Sequence, residues 1–440
     1  MNKIKLQFLV ILVFCFTQNL LPQSFVEQNS GVTVNLTSVS MYQTLWSVPY
    51  QAWVCGNNGT VLRTSNTGTN WLNVNGGGIP NTVNLVNIWC IDSVNILTAG
   101  NIGSVTYVYR TSNKGASWSQ VFTQANGNIN AIWMSSATQG FMVGNPVGGR
   151  WSLWNTTNGG SNWDSAGLYL SQAGTEIGWN NSLSIKNNRI WFGTNNTRIY
   201  YSTNFGSNWQ ILSTAPEVNS YSVLFYWNDS SGYYGYFGGA NSYKTTNYGF
   251  NWTLISHPGS GNFGGFTNGI AGVFNHYPPM LDFAVRGDSI FYNFSMGNWN
   301  SIYSAPSGVY RHVAPFYQLN VQYNYSWAVR SNGGITRLVT FWGGVKKISS
   351  LVPDNFSLQQ NYPNPFNPST KFKIQIEKLS NVKVVVFDAL GREVATLVNE
   401  QLKAGTYEVE WDGSNYPSGV YFYKLTTDSF SETKKMVLVK

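Results

Sequence analysis

Nine residues, Arg63-Thr64-Ser65-Asn66-Thr67-Gly68-Thr69-Asn70-Trp71, return in four altered copies further down the chain. Aligned on their asparagines, the copies place Asn66, Asn113, Asn158, Asn204 and Asn247 at intervals of 47, 45, 46 and 43 residues. The shared pattern is [ST]-[ST]-Asn-x-Gly-x-x-Trp, with Gly68, Gly115, Gly160, Gly206 and Gly249 two residues after the Asn and Trp71, Trp118, Trp163, Trp209 and Trp252 closing each copy. Asn hydrogen-bonds nearby backbone in a turn, Gly supplies a positive φ, and Trp covers an apolar sheet end. A period of this length is one supersecondary unit and matches a four-stranded propeller blade.

Apolar strands and small-residue breaks recur between the turns. Leu45–Val48, Ala52–Gly56 and Gly59–Arg63 precede the first, and Ile88–Ile91, Ile96–Gly100 and Val105–Arg110 precede the second. Phe283–Gly287 with Trp299, and Trp327–Ile335, read as a sixth and a seventh unit without the full turn. The predicted architecture is all-β: a seven-bladed β-propeller, with six or eight blades as the fallback. The segment Gly31–Leu36 is expected to close the ring against the last blade. Only 10% of residues are charged and 16% are aromatic, which suits short strands better than helices.

The five turns resemble the Asp-box of sialidase-like (BNR-type) repeats, with Asn at every position where that family usually has Asp. The whole unit is similar to the repeat of sialidase-like, photosystem-assembly-factor-like and xyloglucanase-like propellers. In that family the box is a peripheral hairpin turn remote from the catalytic face, so the resemblance implies architecture. The family's Phe/Tyr-Arg-Ile-Pro segment is absent, and with it the expected start of a sialidase arginine cluster.

Hydrolysis of a glycoside needs two carboxylates facing one bond. Asp92 and Asp229 follow first-strand tryptophans and are the best pair the sequence offers; the plainer reading has each capping a turn. His257, His276 and His312 are isolated, so no triad or metal cluster is read, and no cofactor is expected. Trp46, Trp89, Trp133 and Trp227 recur with the period and are read as packing between blades. Tyr233–Phe237 and His276–Pro279 break the period and are read as a binding surface.

Lys3 and Lys5 precede the apolar stretch Leu6 to Phe16, the plan of a secretory signal; it is too short to cross a bilayer, and cleavage is expected near Ser24. Bulky Val13 and Phe14 before Cys15 argue against a lipoprotein site. Cys55 and Cys90 then remain, either as one disulfide or as two buried thiols. Of the net charge of +8, the excess over residues 25–350 is scattered as single Lys and Arg, which excludes a nucleic-acid groove.

Near Ser349 Lys and Glu become common, and alternating strands joined by glycine turns predict a small immunoglobulin-like β-sandwich. Pro363, Pro365 and Pro368 are expected to hold an extended lead-in. This stretch resembles the type A sorting domain of the type IX secretion system. The match is carried by Tyr362-Pro363-Asn364-Pro365-Phe366, Gly391-Arg392, Ala404-Gly405-Thr406-Tyr407, Trp411-Asp412-Gly413, Pro417-Ser418-Gly419-Val420-Tyr421 and the terminal Lys435 to Lys440. It implies passage through the periplasm, engagement of the type IX machinery, and release or attachment at the outer surface after removal of the tail. The alternative is a generic adhesion or sugar-binding module.

The expected layout is a signal peptide at 1–24, propeller at 25–348, linker at 349–355 and sorting domain at 356–440. The expected role is a non-catalytic binding or adhesion protein with an extracellular ligand, glycan or protein. The alternative is a glycoside hydrolase of sialidase or xyloglucanase-like fold, and a third reading is an assembly chaperone for another exported complex.

Overall fold

The computed structural model describes residues 23–42, 51–229, 232–269, 281–294, 296–314, 323–341, 346–413 and 416–440. It divides into two compact units, residues 24–340 and residues from 341 onward. Secondary structure among the described residues is strand, turn and bend.

The larger unit is a series of antiparallel sheets in chain order. Among the described residues these are sheet 1 (36–73), sheet 2 (84–125), sheet 3 (129–156), sheet 4 (178–213), sheet 5 (222–255), sheet 6 (263–304) and sheet 7 (310–341). Within each, consecutive strands are neighbours. The first strand of every sheet packs on the first strand of the next, and that of sheet 7 packs on that of sheet 1. The series is therefore a closed β-propeller, the arrangement that hides sheet edges by going round.

Ring closure comes from Gln23–Gln28, which pairs with Ile335–Phe341 as the outermost strand of sheet 7. The expected closing segment at 31–36 is instead a turn around Ser30, whose hydroxyl is bonded to both the N–H and the C=O of Val32, before Leu36 begins sheet 1. Gln28 Oε1 accepts from Trp327 Nε1 of sheet 7 (2.9 Å) and Trp71 Nε1 of sheet 1 (3.0 Å), and its amide N–H₂ donates to the Thr67 carbonyl. Glu27 takes Arg330, Tyr303 and Thr336. Gly68 is needed here for space as well as for its φ of 81°, because a Cβ would sit 2.1 Å from the Gln28 amide. A third tie across the seam runs from the Val39 N–H to His312 Nδ1 (3.2 Å).

All five recurrent turns have one geometry. The Ser or Thr hydroxyl two residues before the Asn donates to its Oδ1 and accepts from the Gly N–H, while Oδ1 also accepts from the N–H four residues on. The residue between Asn and Gly is left-handed as well, from Phe205 at 54° to Gly159 at 70°. Each closing Trp reaches the preceding sheet. Trp71 packs edge-on to Trp327 and Trp118 to Trp53, both at 6.4 Å, and Trp209 lies 6.4 Å from Phe141. Trp163 and Trp252 join clusters containing Leu97 of sheet 2 and Trp191 of sheet 4. Each turn thus clasps two sheets; Trp118 is buried and the other four rings are half-buried, so each adds on the order of 1–3 kcal/mol.

Cys55 and Cys90 are separate, free and buried. Burial pushes the Cys55 thiol up to about 12 and raises Cys90 as well. The predicted first strand at Leu45–Val48 lies outside the described residues; sheet 1 opens with Leu36–Tyr42.

The second unit packs two four-stranded sheets around one core that includes Phe372, Ile374, Val384, Trp411, Tyr423 and Leu438. Lys346–Ser349, placed by composition in the propeller and linker, is an edge strand paired with Gly405–Asp412, and Glu393–Leu402 is a further strand beside Ser380–Asp388. The proline segment does not run extended. Asn361 Nδ2 and the Thr370 hydroxyl both donate to the Pro363 carbonyl, which turns the segment back on itself.

Three outcomes follow for the ring. Asn158→Ala removes two acceptor contacts and should cost about 1–2 kcal/mol in denaturant unfolding. Gln28→Ala leaves two indole N–H groups unpaired at the seam and should cost about 2–4 kcal/mol. Burial lowers the His312 pKa from 6.5 to about 4. The unfolded chain therefore takes up the proton first, so this group's contribution is present above pH 6.5 and is lost as pH falls through 4. His312→Gln should flatten that part of a plot of Tm against pH.

Candidate functional site

The recurrent turns and the first-to-second-strand turns share one end of the sheets. In sheet 2 the Lys114 N–H donates to the Val94 carbonyl, joining the two turns directly. The opposite end carries the starts of the first strands and the hairpins between second and third strands, as in the pairings Asn84 with Asn101 and Gly178 with Thr194.

That second end is built from amides. The first strand of sheet 4 bulges between Gly178 and Leu183, and Asn181 adopts a φ of 63°. Its Nδ2 donates to the Thr37 and Val86 carbonyls, both at 3.2 Å, and its Oδ1 accepts from Ser38 Oγ (3.0 Å) and Asn87 Nδ2 (2.8 Å). One side chain therefore joins sheet 4 to sheets 1 and 2 across the centre of the ring, with its full hydrogen-bonding capacity used. Beside it, exposed Asn180 accepts from Asn128 Nδ2. Asn128 Nδ2 also donates to Asn130 Oδ1 (2.6 Å), Asn101 donates to Asn128 Oδ1, and Asn130 donates to Asn145 Oδ1 (3.0 Å). The half-buried rings of Trp179 and Tyr221 meet at 4.5 Å next to this chain of amides. Amide donors and acceptors beside exposed ring edges suit hydroxyl-rich or peptide ligands and carry no general acid or base.

Most described carboxylates of the ring hold structure; exposed Asp288 accepts from the adjacent Ser289 hydroxyl. Asp92 Oδ1 accepts from the Val94 and Asn95 N–H groups and Oδ2 from Asn95 Nδ2, capping its own turn on the clasp-bearing end. Glu176 is buried and accepts from Trp151, Tyr200 and the Ala173 N–H, with Arg198 at 3.6 Å. Burial first, and then Glu176, push the Tyr200 hydroxyl up to about 12. Glu217 ties down the hairpin at Ala240 and Asn241. Asp282 accepts from Tyr226 and Tyr236, whose pKa values are pushed well up by burial and by that carboxylate. The side chain of Asp229 lies outside the described residues, although its backbone ends the first strand of sheet 5.

Of the aromatic residues read as a binding surface, Tyr233, Tyr236 and Phe237 are buried in the second strand of sheet 5; the period was broken by packing, not by exposure. His276–Pro279, Trp46 and the Trp227 side chain lie outside the described residues. Trp89 and Trp133 meet at 6.2 Å and pack between sheets. His257 stands against Arg286, apart from His312 on sheet 7. Among the described residues no three His, Cys, Asp or Glu gather closely enough for a metal ion. The amide chain was missed because Asn is common in every turn of this sequence and the bulge that assembles it leaves no periodic trace.

In the sandwich the motif residues secure the last strand. Asn364 Oδ1 accepts from the Val437 N–H (2.9 Å), and Phe366, just past Pro365, exchanges bonds with Val437 and Val439. Gly391 at a φ of 79° and Gly405 at 151° make turns, and the Tyr421 hydroxyl, two residues past Gly419, donates to the Pro417 carbonyl. The backbone N–H of Lys440 donates to Ser418 Oγ (3.0 Å).

The secretion system C-terminal sorting domain family matches residues 360–440. No curated protein matches the chain significantly. Among solved structures the chain is similar to YCF48 bound to D1 peptide, at 14% identity and a TM-score of 0.54, covering 73% of this chain and 98% of that one. It is similar to YCF48 from Cyanidioschyzon merolae at 13% identity and 0.52, covering 71% and 98%. The GH74 xyloglucanase from Xanthomonas campestris aligns at 13% identity and 0.48, covering 80% and 60%. No helix among the described residues is long and apolar enough to cross a membrane. The chain is thus an all-β protein with a propeller, exported to the cell surface or secreted by the type IX secretion system through its C-terminal sorting domain.

Proposed function

We propose that the propeller is a non-catalytic extracellular binding module, and that its amide-rich end is the face that meets the ligand. The observation that carries this reading is the use made of the acids: Glu27, Asp92, Asp164, Glu176, Glu217 and Asp282 each cap a turn or anchor a neighbouring strand, and Asp288, in a hairpin of the amide-rich end, accepts from the hydroxyl of the adjacent Ser289. A hydrolase of glycosides needs one carboxylate left free to give and take a proton opposite another. Asp92 is committed to three hydrogen bonds at the clasp-bearing end. The similar propeller YCF48 is described bound to a peptide, a use of this architecture that requires no chemistry. Fold alone does not assign function, so the site carries the proposal.

In this reading residues 1–24 are the export signal, the five clasps are Asp-box turns with Asn in place of Asp, and each of the seven sheets is one blade. The sorting domain brings the ring to the surface, where a rigid, weakly charged face holds its partner.

The test uses the exported chain on arrays of neutral and acidic glycans and of extracellular proteins, followed by incubation of each hit to look for cleavage. Binding without turnover is expected, with Asn180→Ala weakening it about 3- to 10-fold. Turnover of a glycan that disappears in Asp92→Asn would replace this reading with the hydrolase.

A further inference from the structure

A cleft of about 520 Å³ opens beside the first clasp, away from the amide-rich end, and Arg63 stands in it. Its lining includes Asn29, Ser65, Asn66, Asn70 and Trp71. Arg63 is partly buried, with its guanidinium 5.5 Å from the centre of the Trp53 ring.

Stacking an arginine on a ring is a repeated device of this propeller, and elsewhere the donors are spent too. Arg189, over Tyr233 and Tyr248, donates to the Tyr201 hydroxyl. Arg286, over Phe263, donates to the carbonyls of Gly261, Gly259 and Ala240. Arg330, over Tyr310, holds Glu27 and the Ser307 carbonyl, and Arg337, over Tyr325, donates to Thr67. Arg110, the equivalent of Arg63 in sheet 2, bonds Gly159 and Asn95. Arg330 and Arg337 also leave Nε without a partner but spend their other nitrogens, whereas Arg63 keeps the ring contact alone: among the described residues its buried Nε has no partner and neither a carbonyl nor a carboxylate takes its other N–H groups. Burial lowers its pKa, the sign of a desolvated cation lacking a counter-charge.

The rest of the lining is turned to the same chemistry. Asn29 Oδ1 is taken by the Gly31 N–H, and Asn66 Oδ1 by Thr64 and the Asn70 N–H, which leaves the N–H₂ group of each amide as its available donor. The exposed side chains of Ser65 and Asn70 add further donors. A guanidinium with a ring of neutral donors matches a carboxylate, which accepts two parallel bonds from it. The amide and hydroxyl groups, with Trp71 at one wall, match the hydroxyls and ring face of a sugar better than the apolar side chains of a peptide.

We propose that the cleft at Arg63 is a subsite for the carboxylate of a uronic-acid residue in an acidic polysaccharide. This rests on the reading of the propeller as an extracellular binding module and adds to it an anionic ligand class and a second place of contact.

The test is calorimetric titration of the exported full-length chain with trimers of galacturonate, glucuronate and mannuronate, and with their methyl esters. Esterification removes the charge and keeps the sugar. At least one acid trimer should bind at least 10-fold more tightly than its ester, and the preference should shrink as salt rises. Arg63→Gln should abolish the preference with Tm within about 3 °C of the parent, and Asn70→Ala, at an exposed position, should weaken acid binding about 3-fold. If Arg63→Gln does not fold, the acid-to-ester ratio of the parent and Asn70→Ala decide the matter. Equal binding of acid and ester, no binding of any trimer, or an unchanged preference in Arg63→Gln overturns the proposal. A tetra-aspartate peptide that binds as tightly as the best trimer would overturn the saccharide assignment. An array ligand that is neutral and indifferent to Arg63→Gln would leave the binding module standing and remove this subsite alone.

Discussion

The propeller depends on one seam. Neighbouring sheets elsewhere in the ring follow one another in the chain, but sheet 7 is completed by groups 299 to 309 positions apart, Gln28 with Trp327 and Glu27 with Arg330 and Thr336. It is tied to sheet 1 by Arg337 with Thr67 and His312 with Val39, 270 and 273 positions apart. Without the strand Gln23–Gln28 the outer edge of sheet 7 is unpaired, and an unpaired edge invites association with other chains. The seam answers with specific polar partners. One amide oxygen serves two indoles from opposite sides of the junction, so that Gln28 registers sheet 7 on sheet 1 in a way apolar contact alone does not.

The same economy explains why the clasps do without Asp. The hydrogen bonds that shape the turn fall on a single oxygen, Oδ1, which accepts from a hydroxyl and from a backbone N–H. An amide provides that oxygen as well as a carboxylate does, and five carboxylates spaced round one end of the ring would repel one another and draw cations. The neutral form suits a domain in which the few acids are already committed: Glu27 to the seam, Glu176 and Glu217 to neighbouring hairpins, Asp282 to two tyrosines.

Local rules carried much of the architecture into the sequence. The clasps were legible because each demands Asn, Gly and Trp at fixed offsets, and strands such as Ile96–Ile102 and Val105–Thr111 showed their alternation and their breaks. Features that require distant partners were not legible. Gln23 and Ser24 read as the end of an export signal and Phe25–Gln28 carries no strand pattern of its own, so only pairing with the edge of sheet 7 reveals the segment as a strand. Glu393–Leu402 carries its apolar residues as the adjacent pairs Val394-Ala395 and Leu397-Val398, and so lacks the alternation that marked its neighbours. Tyr233–Phe237 reads as a surface because the repeat does not require its rings, whereas a large interface between two twisted sheets needs large rings to fill it. The amide chain was hidden for the opposite reason: its residues are individually ordinary turn formers, and a bulge in one strand makes them a site.

Both sequence ends of the chain are thereby bound to structural tasks, and this constrains the order in which the protein matures. Loop closure over roughly 300 residues is entropically costly and slow compared with hairpin formation, so the sheets form from local contacts before the seam does. The closing strand begins at Gln23, where the export signal is expected to end, and its side chains at positions 27 and 28 supply the decisive bonds. At the other end Asn364 and Phe366 hold the final strand of the sorting domain through Val437 and Val439, so that its last residues are ordered within a sandwich that has its own core. The ring and the sandwich therefore reach their folds by separate closures, one made by the first residues of the propeller and one by the last residues of the chain.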